Sequence, residues 1–222
     1  MIRNAVRLGC LLTLLGWACG AVQAQTVTFD LSDVDTSYST PFQSTSGPVT
    51  ATFSSPNDPS GFIVKSSDLY DVFVFDPPFQ GYFLSSNVDS APLVVTFNKP
   101  LSSISLDFAT LNLENVTLTL FNGGTSGSDP GTTTTQGVLN EYGFYQGLIE
   151  LGPSTPFDKI ELTYVLVNPP QPGDFVDNDI AAANFTVTVA VPEPASVIPW
   201  LLGSGSVLGY AALRKRSVRV SH

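Results

Sequence analysis

Positive charge, histidine and cysteine are the scarce materials of this chain. Nine Lys and Arg stand in 222 residues, and six of them (Arg3, Arg7, Arg214, Lys215, Arg216 and Arg219) lie in the two terminal segments. Residues 25–190 hold three lysines, no arginine and 18 of the 19 acids, a formal charge of −15. Phosphate binding needs Lys and Arg, so nucleic acid is excluded as a partner of this stretch, and an anionic membrane surface would repel it. The single histidine is the last residue, His222, and both cysteines, Cys10 and Cys19, precede residue 25. A Ser-His-Asp triad, a Cys-His pair and a His- or Cys-ligated zinc site therefore cannot be assembled within 25–190. Disulfides are excluded there too, which leaves the core or bound ions to stabilise the stretch. A helical period is also missing: no amphipathic repeat of useful length precedes the C-terminal apolar run.

What is present begins at the ends. Arg3 and Arg7 precede a short apolar run, Leu8 to Ala18, and Val22 and Ala24 place small residues two apart. This order predicts a secretory signal peptide over 1–24, cleaved after Ala24. The apolar run is too short to span a bilayer, which needs about 20 residues. A lipidated Cys19 is disfavoured by the bulky Trp17 and by Gly at position 16. At the other end, Ala195 to Leu213 carries no charge. As a helix it covers about 28 Å, enough to cross a bilayer, with Pro199 tolerated in its first turn. Arg214, Lys215 and Arg216 follow at once and hold that end on the cytoplasmic side, so residues 25–190 face outward. Gly205 and Gly209 have the spacing of a helix-dimer face, a spacing that a glycine-rich helix also produces by composition. Before the helix, Pro192-Glu193-Pro194 forms a stiff, extended segment that a protease could reach.

Pro-Glu-Pro, a glycine-rich apolar helix and Arg-Lys-Arg, in that order over 191–222, resemble the PEP-CTERM sorting signal. The resemblance implies recognition of Pro192, Glu193 and Pro194 by exosortase, a membrane-embedded cysteine transpeptidase of Gram-negative bacteria that make exopolysaccharide and biofilm. It also implies export through the inner membrane, a transient membrane anchor, and a final place at the cell surface or in the extracellular matrix. A permanent single-pass anchor is the alternative. The stretch 93–108 and the strand ending Phe121-Asn122-Gly123-Gly124 resemble the sandwich domains that often precede this signal. Phe175-Val176-Asp177-Asn178-Asp179-Ile180 approximates the segment that leads into their last strand.

Residues 25–190 predict an all-β domain. Period-two alternation marks Thr26–Leu31, Ser103–Phe108, Asn115–Leu120, Lys159–Tyr164 and Asn184–Val189. Val49–Phe53, Tyr70–Phe75, Tyr82–Ser85, Leu93–Phe97 and Leu148–Leu151 are further candidate strands. Turn chemistry separates them at Ser46-Gly47-Pro48, Asp58-Pro59-Ser60-Gly61, Asp76-Pro77-Pro78, Asn122-Gly123-Gly124 and Asn168-Pro169-Pro170. The expectation is an antiparallel β-sandwich, jelly-roll-like, flanked by the signal helix and a single transmembrane helix. Thr125–Thr135 is expected as a loop, and Pro169–Asp174 as a second long connection.

Hard oxygen ligands cluster at Asp174, Asp177, Asn178 and Asp179. With Asp30 or Asp107 brought alongside they could hold Ca²⁺, without the glycine and closing glutamate of an EF-hand; a solvated acidic loop is the alternative. No other cofactor is expected. Tyr142 and Tyr145, with Phe144 and Glu141, form an aromatic cluster that could stack on sugar, and Phe73, Phe75, Phe79, Tyr82 and Phe83 form another. Alternating aromatics also make ordinary core. A glycosidase would need two facing carboxylates, for which Glu114, Glu141, Glu150 and Glu161 are available. The leading expectation is a non-enzymatic surface or matrix protein associated with exopolysaccharide. A carbohydrate-binding module is the alternative, and a carboxylate-based glycan hydrolase the third.

Overall fold

The structure, a computed structural model, describes residues 23–66, 81–88, 91–123, 130–167 and 179–191. Nearly all of the predicted signal peptide, the candidate strand Tyr70–Phe75, the acids Asp174 and Asp177, and the sorting segment from Pro192 through the predicted apolar helix to Arg214, Lys215 and Arg216 lie outside the described residues.

Among the described residues twelve strands follow in chain order: β1 (Thr26–Phe29), β2 (Phe42–Ser46), β3 (Val49–Ser54), β4 (Phe62–Ser66), β5 (Tyr82–Ser86), β6 (Leu93–Thr110), β7 (Glu114–Phe121), β8 (Gly131–Gln136), β9 (Val138–Leu139), β10 (Tyr145–Leu151), β11 (Phe157–Leu166) and β12 (Ile180–Val189). Every pairing among these strands is antiparallel. No helix occurs among the described residues.

The 18-residue β6 organises the sandwich. Its C-terminal half lies between β12 and β10, and that sheet runs β4-β5-β12-β6-β10-β9, with β1 beside the far half of β12. Its N-terminal half lies between β3 and β11, and the second sheet runs β2-β3-β6-β11-β7-β8. The sequence predicts two strands here, Leu93–Phe97 and Ser103–Phe108, parted at Asn98-Lys99-Pro100. The structure instead carries one strand through that corner from sheet to sheet, as strands do where sandwich layers join. Asn98 and Pro100 are exposed there. Pro100, which has no N–H to give a ladder, still accepts from Ala190 N at 3.0 Å.

The period-two pattern decides what goes inside. Ile104, Leu106 and Phe108 of β6 and Phe185 and Val187 of β12 meet Val116, Leu118 and Leu120 of β7 and Ile160 and Leu162 of β11 in one core. Phe53 lies stacked on Phe42 (5.0 Å between centroids) and edge-on to Phe29 and Phe185 (6.4 and 5.2 Å). Such pairs add about 0.5–1.5 kcal/mol each beyond area burial.

The threonine-rich stretch corrects one expectation. Gly131–Gln136 forms β8 and pairs with β7 along its length. β-Branched threonines suit a pleated surface, and this edge is held by Thr117–Thr134 (2.9 Å) and by Gln136 Nε2 donating to Asn115 Oδ1 (2.9 Å). Gly137 then passes the chain from the second sheet to β9 of the first. A Cβ there would stand 2.5 Å from the Tyr145 carbonyl carbon, so only glycine fits.

Candidate functional site

Three polar or aromatic regions on this frame have chemical potential, and the first is an open groove on the outer face of the first sheet. Because Ile104, Leu106 and Val187 point inward, their neighbours Ser103, Ser105, Thr186 and Thr188 point outward. Register brings them together: Ser105 stands opposite both Thr186 and Glu150, and Ser103 opposite Thr188. Ser103, Ser105, Glu150, Leu151, Gly152 and Thr186 line a groove of about 280 Å³, at the lower edge of the range for small-ligand sites. The hydroxyl surface continues onto β1, where Thr28–Thr186 (2.9 Å) and Thr26–Thr188 (3.0 Å) pair. A wall of hydroxyls with one carboxylate can exchange hydrogen bonds with a polyhydroxylated ligand. No aromatic ring lines the groove, so stacking is not part of its chemistry.

A second region lies further along the same face. Ala109, Ala181 and Ala183 form a floor of small residues under Phe83 and Phe144, with Leu111 packed beside them. The depression between them holds about 30 Å³, room for a water molecule. At its edge Asn140 shapes the turn into β10, its Oδ1 accepting from Tyr142 N (3.0 Å) and Phe144 N (2.9 Å). Of the two tyrosines singled out for sugar stacking, Tyr142 is 46% exposed in this turn. Tyr145 is half-buried on β10, opposite the buried Thr110. Phe144 leaves them to join the apolar floor. Nearby, Asn184 adopts a positive φ of 51° at a bulge in β12 and donates to Asp107 Oδ2 at 2.9 Å. Burial pushes the Asp107 carboxyl up, and the Asn184 bond partly offsets this.

The third region is at the end of the sandwich where β5 ends and β7 and β12 begin; Glu114 lies inside it, and the half-buried Asp179 also borders the depression of the second region. Asp179, the described member of the predicted calcium cluster, accepts from Ser86 Oγ at 3.0 Å, and the same Ser86 Oγ accepts from Ile180 N at 3.0 Å. Neither Asp30 nor Asp107 joins it: Asp30 accepts from Ser32 beyond the end of β1, and Asp107 is on the outer face. Its neighbour is Glu114, 1% exposed, with neither carboxylate oxygen hydrogen-bonded. Burial, and then the charge of Asp179, push the Glu114 carboxyl up to about 7. The Tyr164 hydroxyl bonds Ser86 and sits in the field of both acids, and burial above all pushes it up to about 12.

Glu141 and Glu150, two of the four glutamates available for a catalytic pair, do not face each other across a cleft. Glu141 lies in the turn before β10 and Glu150 near the far end of that strand, so five strand residues, about 17 Å at 3.4 Å each, separate them. Paired glycosidase carboxyls stand about 5–9.5 Å apart.

The fold defines the broad class, an all-β antiparallel sandwich. The address is more particular: residues 190–216 match the PEP-CTERM protein-sorting motif. This motif marks the chain as an exported protein, sorted in an exosortase-dependent way to the surface or the extracellular space. No curated protein matches the chain. Among solved structures, a DUF4465 family protein from Bacteroides caccae is similar at 13% identity, over 76% of this chain and 100% of that one, with a TM-score of 0.43. A family 29 carbohydrate-binding module complexed with mannohexaose is similar at 11% identity over 75% and 93%, with a TM-score of 0.36. The CBM22-2 xylan-binding domain from Paenibacillus barcinonensis is similar at 10% identity over 75% and 99%, with a TM-score of 0.34.

Proposed function

We propose that this chain is a non-enzymatic surface or matrix protein of a Gram-negative bacterium, held transiently by its C-terminal helix until exosortase acts. Once released, it associates with exopolysaccharide of the biofilm through the hydroxyl groove of the first sheet. The sorting motif at 190–216 is the observation that carries this reading. The groove supports the ligand class, because Ser103, Ser105, Thr186 and Glu150 offer donors and acceptors to a polyhydroxylated ligand at an open surface. The separation of Glu141 from Glu150 disfavours glycan hydrolysis by that pair.

Co-sedimentation of the full chain with exopolysaccharide from a producing strain tests the reading. Binding is expected, and expected to weaken severalfold when Ser105 and Thr186 become Ala and Val together. Unchanged binding of that double variant would remove the groove from the account. The alternative is a carbohydrate-binding module that grips a defined sugar by stacking, which the exposure of Tyr142 favours. It predicts saturable binding to a single glycan on an array, lost on Tyr142→Ala. Release of oligosaccharide from the sedimented polymer would contradict both readings in favour of a hydrolase.

A further inference from the structure

Glu114 is the most exceptional side chain among the described residues. It occupies an inward position of β7, in step with Val116, Leu118 and Leu120, where the alternation demands an apolar residue. It is 1% exposed, and both of its oxygens lack a hydrogen-bond partner. A buried ionised carboxylate without a partner is strongly unfavourable. Protonation would remove the charge yet leave both oxygens unanswered. A cation would answer both at once.

The surroundings supply the rest of a cation's needs. Asp179 enters from the start of β12, close enough for its charge to act on Glu114. Tyr164 stands opposite Val116, the next inward residue of β7 after Glu114, and its hydroxyl donates to Val88 O at 3.5 Å. Ser86 Oγ ties this group to the backbone at Ile180. The ligand set is therefore two carboxylates plus hydroxyl and carbonyl oxygens, with no nitrogen or sulfur donor. Such a set suits a hard divalent cation with flexible geometry, which means Ca²⁺ before Mg²⁺, with water completing a shell of 6–8 oxygens. Two carboxylates place the affinity in the range of extracellular calcium modules, about 0.1–1 mM.

We propose that the interior end of the sandwich is a Ca²⁺ site in which Glu114 is the buried bidentate ligand and Asp179 the second carboxylate. The site joins the first sheet, through Asp179 and Ser86, to the second, through Glu114 and Tyr164. Occupancy would therefore clamp the two layers at that end.

Terbium luminescence on the full chain in mild detergent provides the test, since Tb³⁺ occupies Ca²⁺ sites and is sensitised by a nearby tyrosine. Stripped with chelator and titrated with Tb³⁺, the protein should show saturable emission that Ca²⁺ displaces, and Ca²⁺ alone should raise its Tm. Glu114→Gln, nearly isosteric, should weaken binding about tenfold or more, the scale on which metal sites respond to loss of a supporting group. Asp179→Asn should weaken it similarly, and Glu161→Gln should leave it unchanged. Tyr164→Phe should lose the sensitised emission and, lacking one hydroxyl ligand, show a smaller Ca²⁺-dependent rise in Tm. Absence of any Ca²⁺ effect on Tm, or wild-type affinity in both Glu114→Gln and Asp179→Asn, would overturn the proposal.

Discussion

Thr28 and Glu114 both stand on strictly alternating strands, one pointing out and the other in. On the outer face Thr26, Thr28, Thr186 and Thr188 bond one another across β1 and β12, with solvent available for what remains. At the interior end Glu114 has neither a partner nor solvent. The two regions show that polarity in a sheet is informative by position rather than by amount. A hydroxyl outside fits the surface at little cost. A carboxylate inside must be explained by a proton or an ion.

The contrast can be broken most forcefully through pH. Burial holds Glu114 protonated up to about pH 7 in the folded chain, whereas an unfolded glutamate releases its proton near 4.3. The folded state thus binds more protons between those values, and stability falls as pH rises through them. In the absence of Ca²⁺ the loss should reach about 3 kcal/mol by pH 7 and level off above it. Denaturant unfolding in chelator at pH 4.5, 6 and 7.5 measures it. Glu114→Gln should remove this step, and Ca²⁺ should offset it in the wild type. A fall of equal size in Glu114→Gln would assign the pH effect to other acids.

A smaller effect is expected at Ser86, which serves both Asp179 and the buried Ile180 N–H. Ser86→Ala leaves that N–H unanswered and should cost about 1–3 kcal/mol in chemical denaturation. The smallest belongs to the outer face. Thr28→Val keeps the β-branched shape and should change stability by no more than about 0.5 kcal/mol. If it cost as much as Ser86→Ala, the distinction between the two regions would fail.

Much of this was legible in the sequence, for a physical reason. Where alternation is clean, as in Asn115–Leu120 or Lys159–Tyr164, parity alone fixes which face is core, and the strands form as expected. The Asp58-Pro59-Ser60-Gly61 turn was equally readable, because Asp58 Oδ1 accepts from Ser60 N two residues on, at 2.8 Å. β2 was hidden because one of its inward positions is Ser44, whose hydroxyl donates to Asp33 at 2.7 Å, so the apolar period is broken. The passage of β6 from sheet to sheet depends on partners distant in sequence, which local turn chemistry cannot supply. The hydroxyl groove is not announced by any motif, although its signal is present: Thr26 and Thr28 of β1, Ser103 and Ser105 of β6 and Thr186 and Thr188 of β12 all fall at outward positions. By composition Glu114 is one acid among many, yet its place in step with Val116, Leu118 and Leu120 sets it inside.

The central claim is that this sandwich is cargo delivered through its C-terminal motif, and intact-mass spectrometry of the extracellular protein from an exosortase-bearing host tests it most directly. The expected mature chain ends near Pro192-Glu193-Pro194 and lacks Arg214, Lys215 and Arg216. Extracellular protein that uniformly retains those three basic residues would contradict it.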